Sequence, residues 1–187
     1  MQPVYAAMEE NPVIAAVRSP DRWEAAICSP AAVLFLLCGD IITIKGMVSA
    51  ARAKGKQVFT HLELLGGIGR DNCAIDFIAQ EIRPSGVIST RSAQIRYAKS
   101  KGLVTVQRFF LVDSMSLATA VDAAQSLKPD FVELMPGIMP GMIRRFSSAL
   151  SSGIIAGGMI ETKGQVIEAL SAGARNVSTT NENLWAL

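Results

Sequence analysis

The residue types that build metal sites and disulfide frameworks are scarce in this sequence of 187 residues. There is one histidine, His61, and the three cysteines, Cys28, Cys38 and Cys73, are widely spaced in apolar surroundings. This spacing matches neither a disulfide framework nor a thiolate zinc site, so we expect the cysteines to be small buried hydrophobic residues. A lone histidine among scattered carboxylates has no recognisable ligand spacing. We therefore predict that the protein holds no metal and no cofactor.

Long hydrophobic runs are also missing. The longest apolar stretch, PAAVLFLLC at residues 30–38, is far shorter than the roughly 20 residues that cross a bilayer. The segment MQPVYAAMEENP at residues 1–12 has neither the basic start nor the apolar core of a signal peptide. We expect a cytoplasmic protein with no membrane partner.

The sequence has no large excess of charge of one sign. Its formal net charge is +2, so a polyanion would have to bind a local cluster of basic residues rather than the whole surface. Half of the residues are hydrophobic, which is enough for one sizeable core at this length. No linker, internal repeat or low-complexity segment divides the chain. We predict one domain over residues 1–187.

What the sequence does contain is a regular alternation of short apolar runs and helix-length segments. The runs are typical of buried parallel strands, and apolar residues at spacings of three and four predict helices between them. Several helical segments end at a glycine, as at Gly55, Gly102 and Gly173. The predicted strands are VIAAV (13–17), VLFLL (33–37), QVFTHL (57–62), GVIS (86–89), LVTVQ (103–107), FVELM (131–135), GIIAG (153–157) and NVST (176–179). The predicted helices include residues 21–28, 43–56, 71–82, 92–102, 114–128 and 162–173.

These repeats predict an α/β fold, a small TIM-type (β/α)8 barrel with short loops. The usual size of this fold is about 250 residues, so its loops and some helices must be minimal here. Only NENLWAL follows the eighth strand, which predicts a truncated last helix. The segment QPVYAAMEEN at residues 2–11 is expected to form a helix that covers the barrel floor. An open doubly wound sheet is the alternative architecture.

Small residues follow the seventh and eighth predicted strands, at the end where barrels of this type carry their function. They are Gly157-Gly158 and Ser178-Thr179. Either corner alone is typical of a tight turn or of a helix N-cap. Glycine allows a ligand to approach the backbone closely, and a helix N-terminus attracts anions. On neighbouring strands, the two corners together therefore predict a phosphate site.

Four ionisable residues at or near other strand ends are candidates for contact with the rest of a ligand. His61 and Glu63 lie two residues apart, so strand alternation predicts that they share a face, although a lone histidine is often just a hydrogen-bonded core residue. Glu133 lies inside an apolar run and needs a partner, which is a ligand hydroxyl, Arg108 or Lys45. Asp40 follows a glycine and has the alternative role of capping the next helix.

Five short motifs occur together in this chain: FLLCGDI, STRS, QRFFLVDS, ELMPGI and STTN followed by LW. With this combination the chain resembles, over nearly its whole length, the glycerol uptake operon antiterminator regulatory proteins of bacteria. The combination is specific for that family, whereas a glycine-rich phosphate corner is common to many barrels. Two departures concern the third strand and its loop, where the family usually has a shorter acid than Glu63 and fewer glycines than Gly66-Gly67. The segments that carry the resemblance are residues 11–17, 33–45, 58–71, 86–114, 129–140 and 154–185.

The resemblance implies a regulator with a barrel fold and no enzymatic activity. Such a protein binds glycerol 3-phosphate as its effector and then acts on leader mRNA of glycerol-utilisation genes to prevent termination of transcription. The residues implied for the phosphate are Gly157, Gly158, Ser178 and Thr179, and those implied near the glycerol hydroxyls are Asp40, His61, Glu63 and Glu133.

For RNA, the predicted helix after the fourth strand supplies the candidates Arg91, Arg96, Lys99 and Lys101. Arg83 flanks this helix as a further candidate, and Arg144 and Arg145 are the next place to look. A basic helix is more often a solvated face, and assembly into a homo-oligomer also stays open. One rival interpretation is a triose- or sugar-phosphate isomerase or lyase. Acid and base chemistry for it could come from His61, Glu63, Glu133 and Lys45. The other is a small-molecule sensor that binds a protein instead of RNA.

Overall fold

A computed structural model of the chain describes residues 3–187. Its parallel strands close into a barrel in which each strand pairs with the next in sequence and β8 pairs with β1, Val13 opposite Val177. Closure confirms the predicted (β/α)8 barrel and excludes the open sheet. The strands are β1 Val13–Val17, β2 Val33–Leu36, β3 Gln57–His61, β4 Gly86–Ser89, β5 Val104–Phe110, β6 Phe131–Met135, β7 Gly153–Gly157 and β8 Asn176–Thr179.

Helices cover the outside of the barrel between the strands. After β8 the chain forms only the short 3-10 helix Glu182–Leu184, as predicted from the brief C-terminal segment. Further 3-10 turns lie at Pro20–Arg22 and Leu62–Leu64, and α4 continues as a π-helix over Ile78–Ile82. The α-helices are α1 Pro3–Glu10, α2 Trp23–Cys28, α3 Ile44–Ala53, α4 Asn72–Phe77, α5 Ser92–Ser100, α6 Ser114–Leu127, α7 Pro140–Ala149 and α8 Lys163–Ser171.

Side-chain alternation along the strands divides the core into two layers. Ile14, Phe35 and Phe59 belong to the layer inside the barrel, whereas neighbouring positions such as Val13 and Leu34 pack outward against the helices. Both layers are fully buried at these residues. The inward positions nearest the C-terminal ends of the strands therefore point into the mouth of the barrel.

The N-terminal helix α1 covers the other end of the barrel. Val4 and Met8 are buried against the inner layer, and Asn176 Nδ2 donates hydrogen bonds to the carbonyls of Met8 and Asn11 at 2.9 and 3.3 Å. Tyr5 also donates from its hydroxyl to Asp130 at 2.8 Å. The predicted floor helix is thus present, although residues 1 and 2 of the predicted domain lie outside the described part of the chain.

Two expectations from the sequence are wrong. Cys28 and Cys73 are exposed rather than buried, because they lie on the outward faces of α2 and α4. Strand β5 continues to Phe110 instead of ending at residue 107, because the charged Arg108 is accommodated inside the barrel by a partner on β6. Between residues 3 and 187 no helix is both long and apolar enough to cross a membrane.

Candidate functional site

A cavity of about 940 Å³ opens at the C-terminal ends of the strands. Its wall combines ionisable side chains from the inner faces of β3, β5 and β6 with the loops that follow β7 and β8. This is the position in which barrels of this kind bind their ligands. The polar lining includes Arg18, His61, Glu63, Arg108, Glu133, Ser178, Thr179 and Thr180, and Gly158 also borders the space.

Glu133 is the most deeply buried charge in the cavity, with no exposed surface. Its register partner Arg108 donates from Nε to Oε2 at 2.6 Å, and Ser178 donates from Oγ to Oε1 at 2.6 Å. Of the two structural partners predicted for Glu133, Arg108 is the one present. Lys45 instead pairs with Glu81 on the surface at 3.0 Å. The buried carboxylate is therefore compensated by one ion pair and one hydroxyl, as burial of a charge requires.

The Arg108 guanidinium keeps donors free for a ligand. Only its Nε is bonded to Glu133, and its terminal nitrogens make no hydrogen bond within residues 3–187. The side chain lines the cavity although it is only 6% exposed. Because a guanidinium carries five N–H donors and stays charged, Arg108 can donate to a bound anion while it holds Glu133.

Gly157 accommodates this network by having no side chain. A Cβ there would lie 2.5 Å from Glu133 Oε1 and 2.6 Å from Ser178 Oγ, closer than real contacts allow. The structure thus places Gly157 against the buried carboxylate rather than on the open wall. Its direct contact with phosphate stays a prediction.

His61 and Glu63 lie close together at the end of β3. His61 Nδ1 lies 3.1 Å from Glu63 Oε2, and Ser89 donates from Oγ to Glu63 Oε1 at 2.5 Å. Burial alone would raise the pKa of Glu63, but the contacts with His61 and Ser89 outweigh it and lower the pKa to about 2. Glu63 is therefore ionised at neutral pH and places a fixed negative charge beside the imidazole.

The loops after β7 and β8 are tied together by Thr179. Its hydroxyl donates to the Ile160 carbonyl at 2.8 Å and accepts from the Asn181 amide at 3.1 Å. The β7 loop also contains two consecutive left-handed residues, Gly158 with φ 77° and Met159 with φ 61°. A left-handed non-glycine residue is uncommon and is concentrated at functional sites. The β7 loop is therefore held in a defined conformation where it forms part of the cavity wall.

The hydroxyl hydrogens of Ser178 and Thr179 are already donated, to Glu133 and to Ile160 respectively. A phosphate accepts hydrogen bonds, so these two side chains have only lone pairs left to offer it. The neighbouring Thr180 lines the cavity, and its hydroxyl makes no hydrogen bond within residues 3–187. Contact of Ser178 and Thr179 with phosphate stays a prediction, and Thr180 joins them as a free donor.

The structure does not bring Asp40 to the other acidic candidates. Its Oδ1 accepts from the amides of Thr43 at 2.8 Å and Ile42 at 3.0 Å, and from the Thr43 hydroxyl at 2.8 Å. These hydrogen bonds lower the pKa of Asp40, those of Thr43 most. Asp40 therefore caps the turn before α3 and lies outside the cavity wall. It also bridges to Gly66, where a Cβ would approach the Asp40 Cβ to 3.3 Å.

Arg18 and Thr180 are cavity residues to which the sequence assigned no role. Arg18 follows β1 and is exposed at the mouth, where it makes no ion pair with any other part of residues 3–187. Strand alternation was the available signal, since it places Arg18 on the inner face with Ala16 and Thr180 with Ser178. Within the described residues no cluster of three or more histidine, cysteine or carboxylate side chains is arranged to hold a metal.

The predicted RNA residues are spread along the whole length of α5, with Arg96 and Lys99 on the helix itself. Arg91 precedes the helix at the cavity end, and Lys101 follows it, about 15 Å away along the axis. Lys101 pairs with Asp76 at 2.7 Å and lies over the Tyr97 ring, which raises its pKa. The side chain of Lys99 donates to a backbone carbonyl, and Arg96 is exposed.

Comparison with solved structures separates near relatives from proteins that share only the fold. A glycerol uptake operon antiterminator regulatory protein from Listeria monocytogenes superimposes with a TM-score of 0.89 at 36% identity, over 92% of this chain and 94% of that one. An antiterminator-related protein from Thermotoga maritima gives 0.83 at 28% identity, over 94% and 98%. A deoxyribose phosphate aldolase from Aeropyrum pernix gives 0.69 at 16% identity, over 97% and 89%, which shows the barrel fold alone.

Sequence comparisons give the same family. An uncharacterised protein of Escherichia coli K12, YgcP, is 31% identical over 185 residues, which cover 99% of this chain and 97% of that protein. The family model described as glycerol-3-phosphate responsive antiterminator matches residues 13–185, from the first barrel strand to beyond the last. The chain therefore belongs to the glycerol-3-phosphate responsive antiterminator family.

Proposed function

We propose that this protein is a transcription antiterminator whose effector is glycerol 3-phosphate. When the effector is bound, the protein binds leader mRNA of glycerol-utilisation genes and prevents termination. The observation that carries the proposal is that one cavity combines arginine and hydroxyl donors, which suit an anion, with carboxylates, which suit hydroxyl groups. Because transcription is its target, the protein acts in the cytoplasm.

The anion end of the cavity comprises the β7 and β8 loops together with two arginines. Gly158 leaves the backbone accessible, Thr180 has a free hydroxyl, and Arg18 and Arg108 supply positive charge. Arginine and backbone or hydroxyl donors are the groups that bind phosphate in proteins. We assign the phosphate of glycerol 3-phosphate to this end.

The carboxylates that line the same cavity suit the glycerol hydroxyls. Glu133 and Glu63 are held in place by their protein partners but keep lone pairs that accept hydrogen bonds. His61 lies beside Glu63 and also lines the cavity. A ligand with hydroxyl donors at one end and a phosphate at the other would satisfy both parts of the site.

The rival function is that of an isomerase or lyase acting on a triose or sugar phosphate. His61, Glu63 and Glu133 are acid and base candidates within the same cavity. The cavity wall contains no lysine among residues 3–187, so a Schiff-base lyase would lack its nucleophile there. Membership of an antiterminator family favours the regulatory function over this alternative.

RNA binding with and without effector tests the proposal directly. A leader transcript from a glycerol-utilisation operon of the same organism should bind more tightly in the presence of glycerol 3-phosphate, while free glycerol should have a much smaller effect. The compound should also raise the melting temperature by mass action. Equal RNA affinity in all three conditions would refute the regulatory function, and sustained turnover of glycerol 3-phosphate or dihydroxyacetone phosphate that depends on His61 would establish the enzyme.

A further inference from the structure

Two helices end at basic residues in a conformation that glycine normally adopts. Arg83 follows the π-helix with φ 54°, and Lys128 follows α6 with φ 49°. Equivalent helix ends elsewhere in the barrel use glycine, for example Gly55 with φ 77° and Gly102 with φ 79°. Left-handed backbone is strained for any residue with a Cβ. Both positions therefore keep a charged side chain where glycine would fit better.

Each of these residues is joined to a second basic side chain. Arg52, at the end of α3, donates from Nη1 to the Arg83 carbonyl at 3.3 Å. Lys99, at the end of α5, donates from Nζ to the Lys128 carbonyl. All four side chains are exposed. Two basic doublets, Arg52–Arg83 and Lys99–Lys128, thus lie at the edge of the barrel where the helices lead into the strands.

No carboxylate within residues 3–187 forms an ion pair with the doublets, although Lys45 and, more weakly, Arg83 lower the pKa of Glu81. Glu81 is paired with Lys45 at 3.0 Å, and Asp76 with Lys101 at 2.7 Å. Asp130 accepts hydrogen bonds from Tyr5 and Thr105 at the barrel floor. Four exposed basic side chains without an ion-pair partner within residues 3–187 favour an anion from outside.

We propose that the two doublets bind the phosphate backbone of the leader RNA. This inference rests on the proposed antiterminator function and assigns its RNA contact to the face opposite the ligand cavity. Arg83 and Lys99 belong both to this surface and to the RNA candidates predicted from α5 and its flanks, whereas Arg91 lies at the cavity end of that helix. Phosphate contacts of this kind position RNA and are weakened by salt.

Arg83→Gly combined with Lys128→Gly gives the decisive test. The double variant removes two charges and relieves two strained residues, so its melting temperature should equal or exceed that of the parent. Its affinity for the leader transcript should fall at least roughly tenfold at about 0.1 M salt, and the magnitude of the slope of log affinity against log salt should decrease by about 1.4 to 1.8. The melting shift produced by glycerol 3-phosphate should remain.

Arg144→Gln with Arg145→Gln is the matched control, because it removes the same charge from exposed positions on α7. Leader binding unchanged in the glycine variant, or reduced equally in the control, would overturn the assignment of the surface. Absence of leader binding by the parent would instead overturn the antiterminator function, and the surface with it. If glycine loosens the fold, Arg83→Asn with Lys128→Asn repeats the test with a residue that tolerates the left-handed conformation.

Discussion

At the scale of single residues, the barrel interior contains a buried ion pair between Arg108 on β5 and Glu133 on the neighbouring strand β6. Arg108 and Glu133 are 6% and 0% exposed, so removing either one would leave the other uncompensated in the core. A buried ion pair of this kind contributes little net stability, because desolvation offsets much of the attraction. The ion pair instead orients the Arg108 guanidinium, so that its remaining N–H donors lie at the cavity wall.

Glu63 gives a prediction about pH. Its pKa is lowered from an ordinary 4.5 to about 2, so the ionised form stabilises the fold above pH 4.5 and this contribution is lost as the pH falls toward 2. We expect Glu63→Gln to remove on the order of 2 to 3 kcal/mol of this acid dependence. Unfolding free energies of parent and variant, measured with urea from pH 5 to 2.5, check it. Parallel profiles for the two proteins would contradict the assignment.

At the scale of elements, the loop from β7 to α8 combines a strained backbone with a rigid anchor. Gly158 and Met159 are left-handed, and the loop then enters α8 through a capping box of Thr162 and Gln165. The cap and the bond from Thr179 to Ile160 fix both ends of the loop. A change at Gly158 should therefore affect the cavity more than the fold.

Replacing Gly158 with asparagine tests the role of this loop. Asparagine tolerates the left-handed backbone, but its Cβ would lie 2.7 Å from the Met135 Cε and push that flexible side chain into the cavity. We expect a stability loss of about 1 kcal/mol and loss of most of the melting shift with glycerol 3-phosphate. Valine at the same position should also abolish the melting shift. Unlike asparagine, it should in addition unfold the loop, because a β-branched residue does not fit φ 77°.

Gly102→Asn provides the control for that experiment. Gly102 has φ 79°, and a Cβ there would meet nothing within 4 Å. This variant should lose no more stability than Gly158→Asn, because it has the same backbone strain without the clash, and it should keep the full melting shift. Equal loss of the shift in both variants would mean that the β7 loop is not part of the ligand site.

At the scale of the whole molecule, the proposed effector and RNA sites lie at opposite ends of the barrel. The cavity is at the C-terminal ends of the strands, whereas the doublets lie where helices lead into strand N-termini. Ligand control of RNA binding must then pass through the packed barrel. Such coupling is a free energy shared by the two sites and is reciprocal.

Reciprocity predicts that glycerol 3-phosphate and leader RNA each increase the affinity of the protein for the other by the same factor. Saturating glycerol 3-phosphate should tighten binding of the leader transcript by roughly 5- to 150-fold, and saturating RNA should tighten binding of glycerol 3-phosphate by the same factor. Calorimetric titration of each ligand with and without the other measures both factors. If neither ligand changes the affinity for the other, the two sites are independent. If the two affinity changes differ in size, a further species such as an oligomer is present.

The sequence by itself determined the barrel, because the signals for strands and helices are local. The short apolar runs VIAAV and GIIAG match β1 and β7 residue for residue. Glycines such as Gly102 mark where the helices between the strands end. The location of the site at the ends of the strands followed from that fold. His61, Glu63, Glu133 and Gly158 accordingly all line one cavity.

Only the tertiary structure decided which polar residues meet, since their partners are distant in sequence and depend on strand register. Glu133 is paired with Arg108, 25 residues away, and with Ser178, 45 residues away, rather than with Lys45. Asp40 caps its own turn, and Thr179 holds two loops together. The basic doublets likewise form only because the fold brings the ends of different helices next to each other. Periodicity fixes the face of a residue within its element, but contacts between elements are fixed by the closed sheet and its packing.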